Sequence, residues 1–171
     1  PSHPTHPISW YGMSKAGGEI AILKSNVKAF IIRTAWLYSR FGNNFVKTIR
    51  RLASQKQDLN VVYDQIGSPT WAADLAELIL HIILHQIIPT GCEILHYTNE
   101  GVCSWYDFAI SIVEHSNLNC IIHPISTEQY PQPAQRPFYS VLDKSLTTQR
   151  FNIEIPHWNK SLRKCITSLD E

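Results

Sequence analysis

The chain has 171 residues, 44% of them hydrophobic and 17% charged, with 15 basic side chains against 14 acidic ones and a formal net charge of +1. That size and composition suit one folded domain with its own core and exclude a disordered chain. A charge balance so close to zero gives no footing for a polyanion: neither nucleic acid nor electrostatic attachment to a membrane surface is expected.

The opening Pro1-Ser2-His3-Pro4-Thr5-His6-Pro7 reads as an extended loop, because each proline keeps its predecessor out of helical geometry. It carries no initiator methionine and is read as a truncation point. Ser9 is placed to cap a helix running to about Lys24, with Ala16, Ile20 and Leu23 near helical spacing. Ala29-Phe30-Ile31-Ile32 has the short apolar pattern of a buried parallel strand. A turn at Phe41-Gly42-Asn43-Asn44 leads into a helix from Asn44 to about Gln57. Leu59 to Tyr63 reads as a strand, Asp64 to Thr70 as a loop, and Trp71 to about Gln86 as an apolar helix. Its apolar run, Leu75 to Ile88, is interrupted by Glu77, His81, His85 and Gln86, so it is too short and too polar to span a bilayer.

The second half repeats the alternation. Glu93 to Tyr97 reads as a strand, and Ser104 with Asp107 at the third position begins a helix to about His115. Cys120 to His123 is a short strand ended by Pro124, and Thr127 to Pro137 is a proline-rich loop. Asp143 is expected to cap a helix over 144–149, and a last amphipathic helix covers about 159–169. Strands alternating with helices predict α/β architecture with a mostly parallel sheet. Cysteines 92, 103, 120 and 165 form no CxxC pair, so reduced thiols in a cytoplasmic protein are expected rather than disulfides or a zinc knuckle.

The pattern that carries chemistry is Tyr11-Gly12-Met13-Ser14-Lys15. Residues four apart share a helix face, so the phenol and the ammonium lie together. Reduction of a carbonyl needs a proton for the oxygen as hydride reaches the carbon. A free phenol, with a pKa of about 10, holds its proton tightly, and a neighbouring ammonium favours the phenolate. The same ammonium can donate to the ribose hydroxyls of a nicotinamide cofactor. Taken alone, the pattern reads equally as an exposed tyrosine beside a solvated lysine.

Context extends it. Pro7-Ile8-Ser9-Trp10-Tyr11-Gly12-Met13-Ser14-Lys15-Ala16-Gly17-Gly18-Glu19 resembles the active-site helix of the extended short-chain dehydrogenases/reductases. Arg33-Thr34-Ala35-Trp36-Leu37-Tyr38, Gly42-Asn43-Asn44-Phe45, Asp64-Gln65-Ile66-Gly67-Ser68-Pro69-Thr70 and Arg136-Pro137 with Ser140 and Leu142 resemble, in order, segments of the dTDP-4-dehydrorhamnose reductase family within that group. The resemblance runs from Pro7 to about Trp158. It implies the C-terminal part of a Rossmann-like fold, with parallel strands and a small substrate-binding subdomain. Residues 1–63 would continue the Rossmann-like fold with the Tyr-x-x-x-Lys helix. Residues 64–171 would form the substrate-binding region, and the N-terminal cofactor-binding half would be absent.

The resemblance implies Tyr11 as proton donor to the C4 carbonyl of a dTDP-sugar. Lys15 would tune it, and both would contact NADPH or NADH in the intact protein. Trp36, Asn43, Asn44, Gln65 and Arg136 would contact the sugar nucleotide. Each has a competing reading: packing for Trp36, turn chemistry for Asn43 and Asn44, a surface or salt-bridging role for Arg136. Arg33 is a further candidate for a diphosphate. Some family members hold magnesium through glutamates at a subunit interface. The corresponding positions here are Ala72-Ala73-Asp74 and Asn159, so no metal is expected. His81 and His85 read as a helix-surface pair. Trp105 and Tyr106 read as packing residues.

None of the seven glycines forms the glycine-rich turn that receives a cofactor diphosphate, so tight cofactor binding by this chain alone is not expected. Uncovered apolar surface would favour strand exchange or self-association, and a homodimer remains open. Two alternatives stand beside a reductase of cell-surface polysaccharide biosynthesis. One is an extended short-chain epimerase or dehydratase on another nucleotide sugar. The other is a non-catalytic regulatory subunit that keeps the reductase fold.

Overall fold

A computed structural model describes residues 1, 3–132 and 136–170. Helix α1 spans Trp10–Lys24, and Ser9 caps it: its Oγ accepts from the Gly12 amide at 3.1 Å. Strand β1 (Ala29–Arg33) follows, then the two-residue β2 (Leu37–Tyr38). Asn44 caps α2 (Phe45–Ala53) by accepting from the Lys47 amide at 3.2 Å. This helix ends four residues before the expected Gln57, because the chain must extend to enter β3 (Asp58–Val62).

The expected loop at Asp64 to Thr70 holds two short strands, β4 (Ile66–Gly67) and β5 (Thr70–Trp71). Helix α3 (Ala72–Leu84) and strand β6 (Cys92–His96) come next. After β7 (Cys103–Ser104), helix α4 (Trp105–His115) opens with a full capping box between Ser104 and Asp107. Strand β8 is Ile121–Ile125, and a 3-10 turn covers Thr127–Gln129. The last helices are α5 (Ser145–Phe151) and α6 (Trp158–Leu169).

Two boundaries differ from the sequence reading. Strand β8 runs through Pro124 instead of ending there. Its ladder bonds fall on alternate residues: Ile121 donates to Gln57 O, and Ile125 O accepts from Tyr63 N. The even-numbered Pro124 therefore turns its missing N–H away from β3, where an edge strand tolerates it. Helix α5 begins one residue late, with Lys144 at the cap position. The Asp143 carboxylate still accepts from the Ser145 amide at 2.9 Å, so the acid serves the first turn from one position further out.

Pairing is mostly parallel, as the alternation implies. Strand β1 pairs with β6, β2 with β5 and β3 with β8, all parallel; β4 pairs with β7 antiparallel. Two cores result. The larger packs α2, α4 and α6 against β3 and β8 around Val46, Phe108, Ile112 and Leu162, each fully buried. The smaller gathers Leu78, Leu95, Tyr97, Phe151 and Ile155, from α3, β6 and the α5 region, with Phe30 and Ile32 of β1 against them. Both cores draw on residues from either side of position 63.

A buried polar knot ties distant elements. Asp74 of α3 accepts from Asn99 Nδ2 and from Ser161 Oγ of α6, each at 2.5 Å. Asn99 in turn accepts from the Trp71 amide at 2.7 Å. The carboxylate is thus spent inside the fold, where burial without such partners would be costly. Among the described residues the buried Tyr38 hydroxyl has no partner, and burial pushes its pKa up.

Candidate functional site

Three groups of side chains are candidates for a site. The first is on α1. Tyr11 is 72% exposed, and the Lys15 ammonium lies 5.4 Å from the centre of its ring. The helical spacing of four alone brings them together, and both face open space. Lys15 forms no ion pair among the described residues, so its donors are available to a ligand.

The second group is Arg33 at the end of β1. Its guanidinium forks onto Glu19 of α1, with Nε at 2.8 Å and Nη2 at 2.6 Å from the two carboxylate oxygens. Arg33 is therefore committed to Glu19, which corrects the expectation that it faces a diphosphate. Hydrogen bonding from Arg33 outweighs burial and holds the Glu19 pKa below its ordinary value.

The third group surrounds a cavity of about 520 Å³, within the ordinary range for small-molecule sites. Its floor is apolar, from Phe45, Ile49 and Leu52 of α2 and Val61 of β3; Trp105 of α4 forms an aromatic wall. Gln65, Thr127, Tyr130, Arg136 and Phe138 form the polar and aromatic rim. Asp64 fixes that rim. Its carboxylate accepts from the Thr127 amide at 3.0 and 3.1 Å and from the Thr127 hydroxyl at 2.7 Å. Desolvation alone would raise the Asp64 pKa, but these donors bring it below its ordinary value. Gln65 is buried and donates to Thr127 Oγ1 at 3.0 Å.

The predicted residues divide accordingly. Gln65 and Arg136 line the cavity. Asn44 does not: Oδ1 caps α2, and Nδ2 donates to Ser39 O at 2.7 Å, which is the turn chemistry of its competing reading. Asn43 is exposed and also outside the cavity wall. Tyr11 and Lys15 contribute nothing to that wall.

Trp36 sits behind the cavity. Its φ of +49° is left-handed, unusual for a residue with a side chain. The turn lays its indole flat on Trp105, with ring centroids 3.6 Å apart and planes 8° from parallel. Gly67 passes beneath that indole: a Cβ there would come within 2.5 Å of it, so only glycine fits. Trp105, read from sequence as packing alone, is both Trp36's stacking partner and a cavity wall. Tyr130 and Phe138 were missed as well. Their only sequence signal is an aromatic residue at each end of a proline-rich loop.

Among the described residues, no group of three or more His, Cys, Asp or Glu side chains is arranged for a metal. The rings of His81 and His85 lie 4.2 Å apart as an isolated pair. Among the described residues, no helix is long and apolar enough to cross a membrane.

Parallel strand pairs alternating with helices, with the Tyr-x-x-x-Lys pattern on an exposed helix, define an α/β fold of the Rossmann-like class. The chain belongs to the RmlD substrate-binding domain family, which matches residues 1–171. It is 44% identical over 161 residues to the spore coat polysaccharide biosynthesis protein SpsK of Bacillus subtilis, covering 94% of this chain and 55% of that protein. It superposes on dTDP-4-dehydrorhamnose reductase from Clostridium acetobutylicum with a TM-score of 0.91 and 39% identity, covering 99% of this chain and 59% of that one. The Bacillus anthracis dTDP-4-dehydrorhamnose reductase, solved in complex with NADP, gives a TM-score of 0.88 and 38% identity, over 98% of this chain and 58% of that one. The chain thus spans little more than half the length of the relatives it matches.

Proposed function

We propose that this chain is the substrate-binding and proton-donating part of an NAD(P)H-dependent reductase. The reaction is reduction of dTDP-4-dehydro-6-deoxy-L-mannose to dTDP-L-rhamnose, a step serving cell-surface polysaccharide synthesis in the cytoplasm. The observation that carries this reading is the Tyr11–Lys15 pair, exposed on one helix face with the ammonium over the phenol. The likeness to dTDP-4-dehydrorhamnose reductases supports it, as does a cavity of suitable size.

The donor set fits the nicotinamide-ribose end of a dinucleotide: Lys15 has free donors for vicinal hydroxyls, and Tyr11 has a free hydroxyl. No turn in this chain suits the diphosphate end. When bound, the cofactor supplies hydride to the C4 carbonyl carbon. Tyr11 gives its phenolic proton to the C4 oxygen, and Lys15 holds ribose while stabilising the phenolate left behind. Trp105 and Tyr130 offer flat faces to the base or the deoxysugar, and the Arg136 guanidinium suits diphosphate oxygens. Gln65 adds an amide for hydrogen bonding. Trp36 acts by holding Trp105 in plane.

The test is NADPH oxidation by the intact natural protein with the keto-sugar nucleotide, run beside Tyr11→Phe. The variant is expected to lose on the order of 10²-fold or more in rate. If the wild-type protein binds NADPH and reduces no keto-sugar nucleotide, the non-catalytic reading replaces this one.

A further inference from the structure

We propose that Asp64 and Thr127 are positioning residues: one directed chain of hydrogen bonds turns the Gln65 amide so that its oxygen, Oε1, is offered to a hydroxyl or imide N–H of the ligand. This rests on the reading of the cavity as the sugar-nucleotide site.

Protons set the direction of the chain. An ionised carboxylate can only accept. Asp64 accepts from the Thr127 amide at 3.0 and 3.1 Å and from the Thr127 hydroxyl at 2.7 Å. Against desolvation, those donors bring its pKa below the ordinary value, so it is ionised at neutral pH. A hydroxyl has one proton, and Thr127 spends it on Asp64. Toward Gln65 the same hydroxyl can then only accept. The amide must meet it with Nε2, which lies at 3.0 Å. Reversing the amide would set two oxygens against each other with no proton between them. Nε2 is therefore taken by Thr127, and Oε1 is left to accept from a ligand.

The surroundings hold this arrangement. Ile66, the next residue, is bonded on both sides: its N donates to Phe138 O at 2.8 Å, and its O accepts from Ser140 N at 2.9 Å. Both partners of every one of these bonds belong to this chain. Gln65 is buried by this chain alone, so any further chain can only deepen its burial. The anchor also seats a second cavity residue, because Thr127 O accepts from the Tyr130 amide at 3.1 Å. A buried acceptor of fixed direction discriminates. A ligand that brings a donor satisfies it, and one that brings a second acceptor leaves both groups unpaired.

The experiment uses the intact natural protein in five forms: wild type, Thr127→Val, Thr127→Ser, Gln65→Met and the double variant Thr127→Val with Gln65→Met. Valine removes the hydroxyl and keeps the amide bonded to Asp64. Gln65→Met tests the chain from its other end. Calorimetry gives the affinity for dTDP, and NADPH oxidation gives kcat and KM for the keto-sugar nucleotide. Hydrogen exchange over residues 105–115 and 158–169 follows the folding of two core helices. In Thr127→Val, KM should rise about tenfold while kcat stays within about twofold. Thr127→Ser should restore KM to within about twofold of wild type. The double variant should be no worse than Gln65→Met, because the hydroxyl acts through the amide. A loss shared by dTDP assigns the donor to the nucleotide; a loss confined to the keto-sugar nucleotide assigns it to the sugar. Wild-type affinity for both ligands in Thr127→Val overturns the chain, as does a serine form as weak as the valine form. Additive losses in the double variant overturn the route through Gln65. A wild-type protein that binds neither ligand is a different failure: it removes the reading of the cavity, and the positioning role with it.

Discussion

The two ends of the molecule are held by different forces. Around β3 and β8, helices α2, α4 and α6 bury Val46, Phe108, Ile112, Leu162 and Cys165 completely, and the cavity rim is pinned by Asp64 on Thr127. Within this chain α1 buries none of its residues, and its ion pair joins Glu19 to Arg33. The cavity side is shaped by dense packing, which fixes atoms to within small displacements. On the Tyr11 helix the contact made within this chain is a directional polar one, Glu19 with Arg33.

That contrast can be broken at several points. The largest effect is expected from Asp74→Ala, which leaves the buried Asn99 and Ser161 donors without their shared acceptor and should cost about 2–3 kcal/mol in urea unfolding. Glu19→Gln should cost far less global stability in the same assay; equal costs would erase the distinction between the two ends. Gly67→Ala comes next. Its new Cβ would strike the Trp36 indole, and displacing the stacked pair should cost about 2 kcal/mol and blue-shift or broaden the near-ultraviolet tryptophan dichroism.

Arg136→Ala tests the cavity as a nucleotide site. Calorimetry with dTDP should show affinity weaker by about tenfold while thermal stability is unchanged, because the side chain is exposed at the rim. Unaltered affinity would remove Arg136 from the site.

The smallest effect is the acid response. Glu19 and Glu93 both have pKa values held below the ordinary carboxylate range, chiefly by hydrogen bonds from Arg33 and Arg150. A depressed folded pKa means the unfolded chain binds more protons, so this stabilisation is complete above the unfolded value of 4.5. It is lost as pH falls through the lower folded values. Melting temperature measured downward from pH 6 should drop below about pH 4.5, and Glu19→Gln should flatten part of that drop.

Much of this was legible before any coordinates. Ser9, Asn44 and the Ser104–Asp107 box mark helix starts because a capping side chain bonds amides only two or three residues away. The Tyr11–Lys15 contact follows from helical spacing for the same reason. Chain order likewise implied parallel strands, since helices lie between them. Tertiary structure decided what joins residues far apart: the stack of Trp36 on Trp105, the knot of Asp74 with Asn99 and Ser161, and the commitment of Arg33 to Glu19. No local pattern announces these. An arginine at a strand end suits a phosphate or a carboxylate equally well, and an Asx residue in a turn suits a ligand or a cap. Local backbone physics acts within a few residues and can be read from sequence. The choice between two partners of like chemistry is made only when the chain brings one of them within hydrogen-bonding distance.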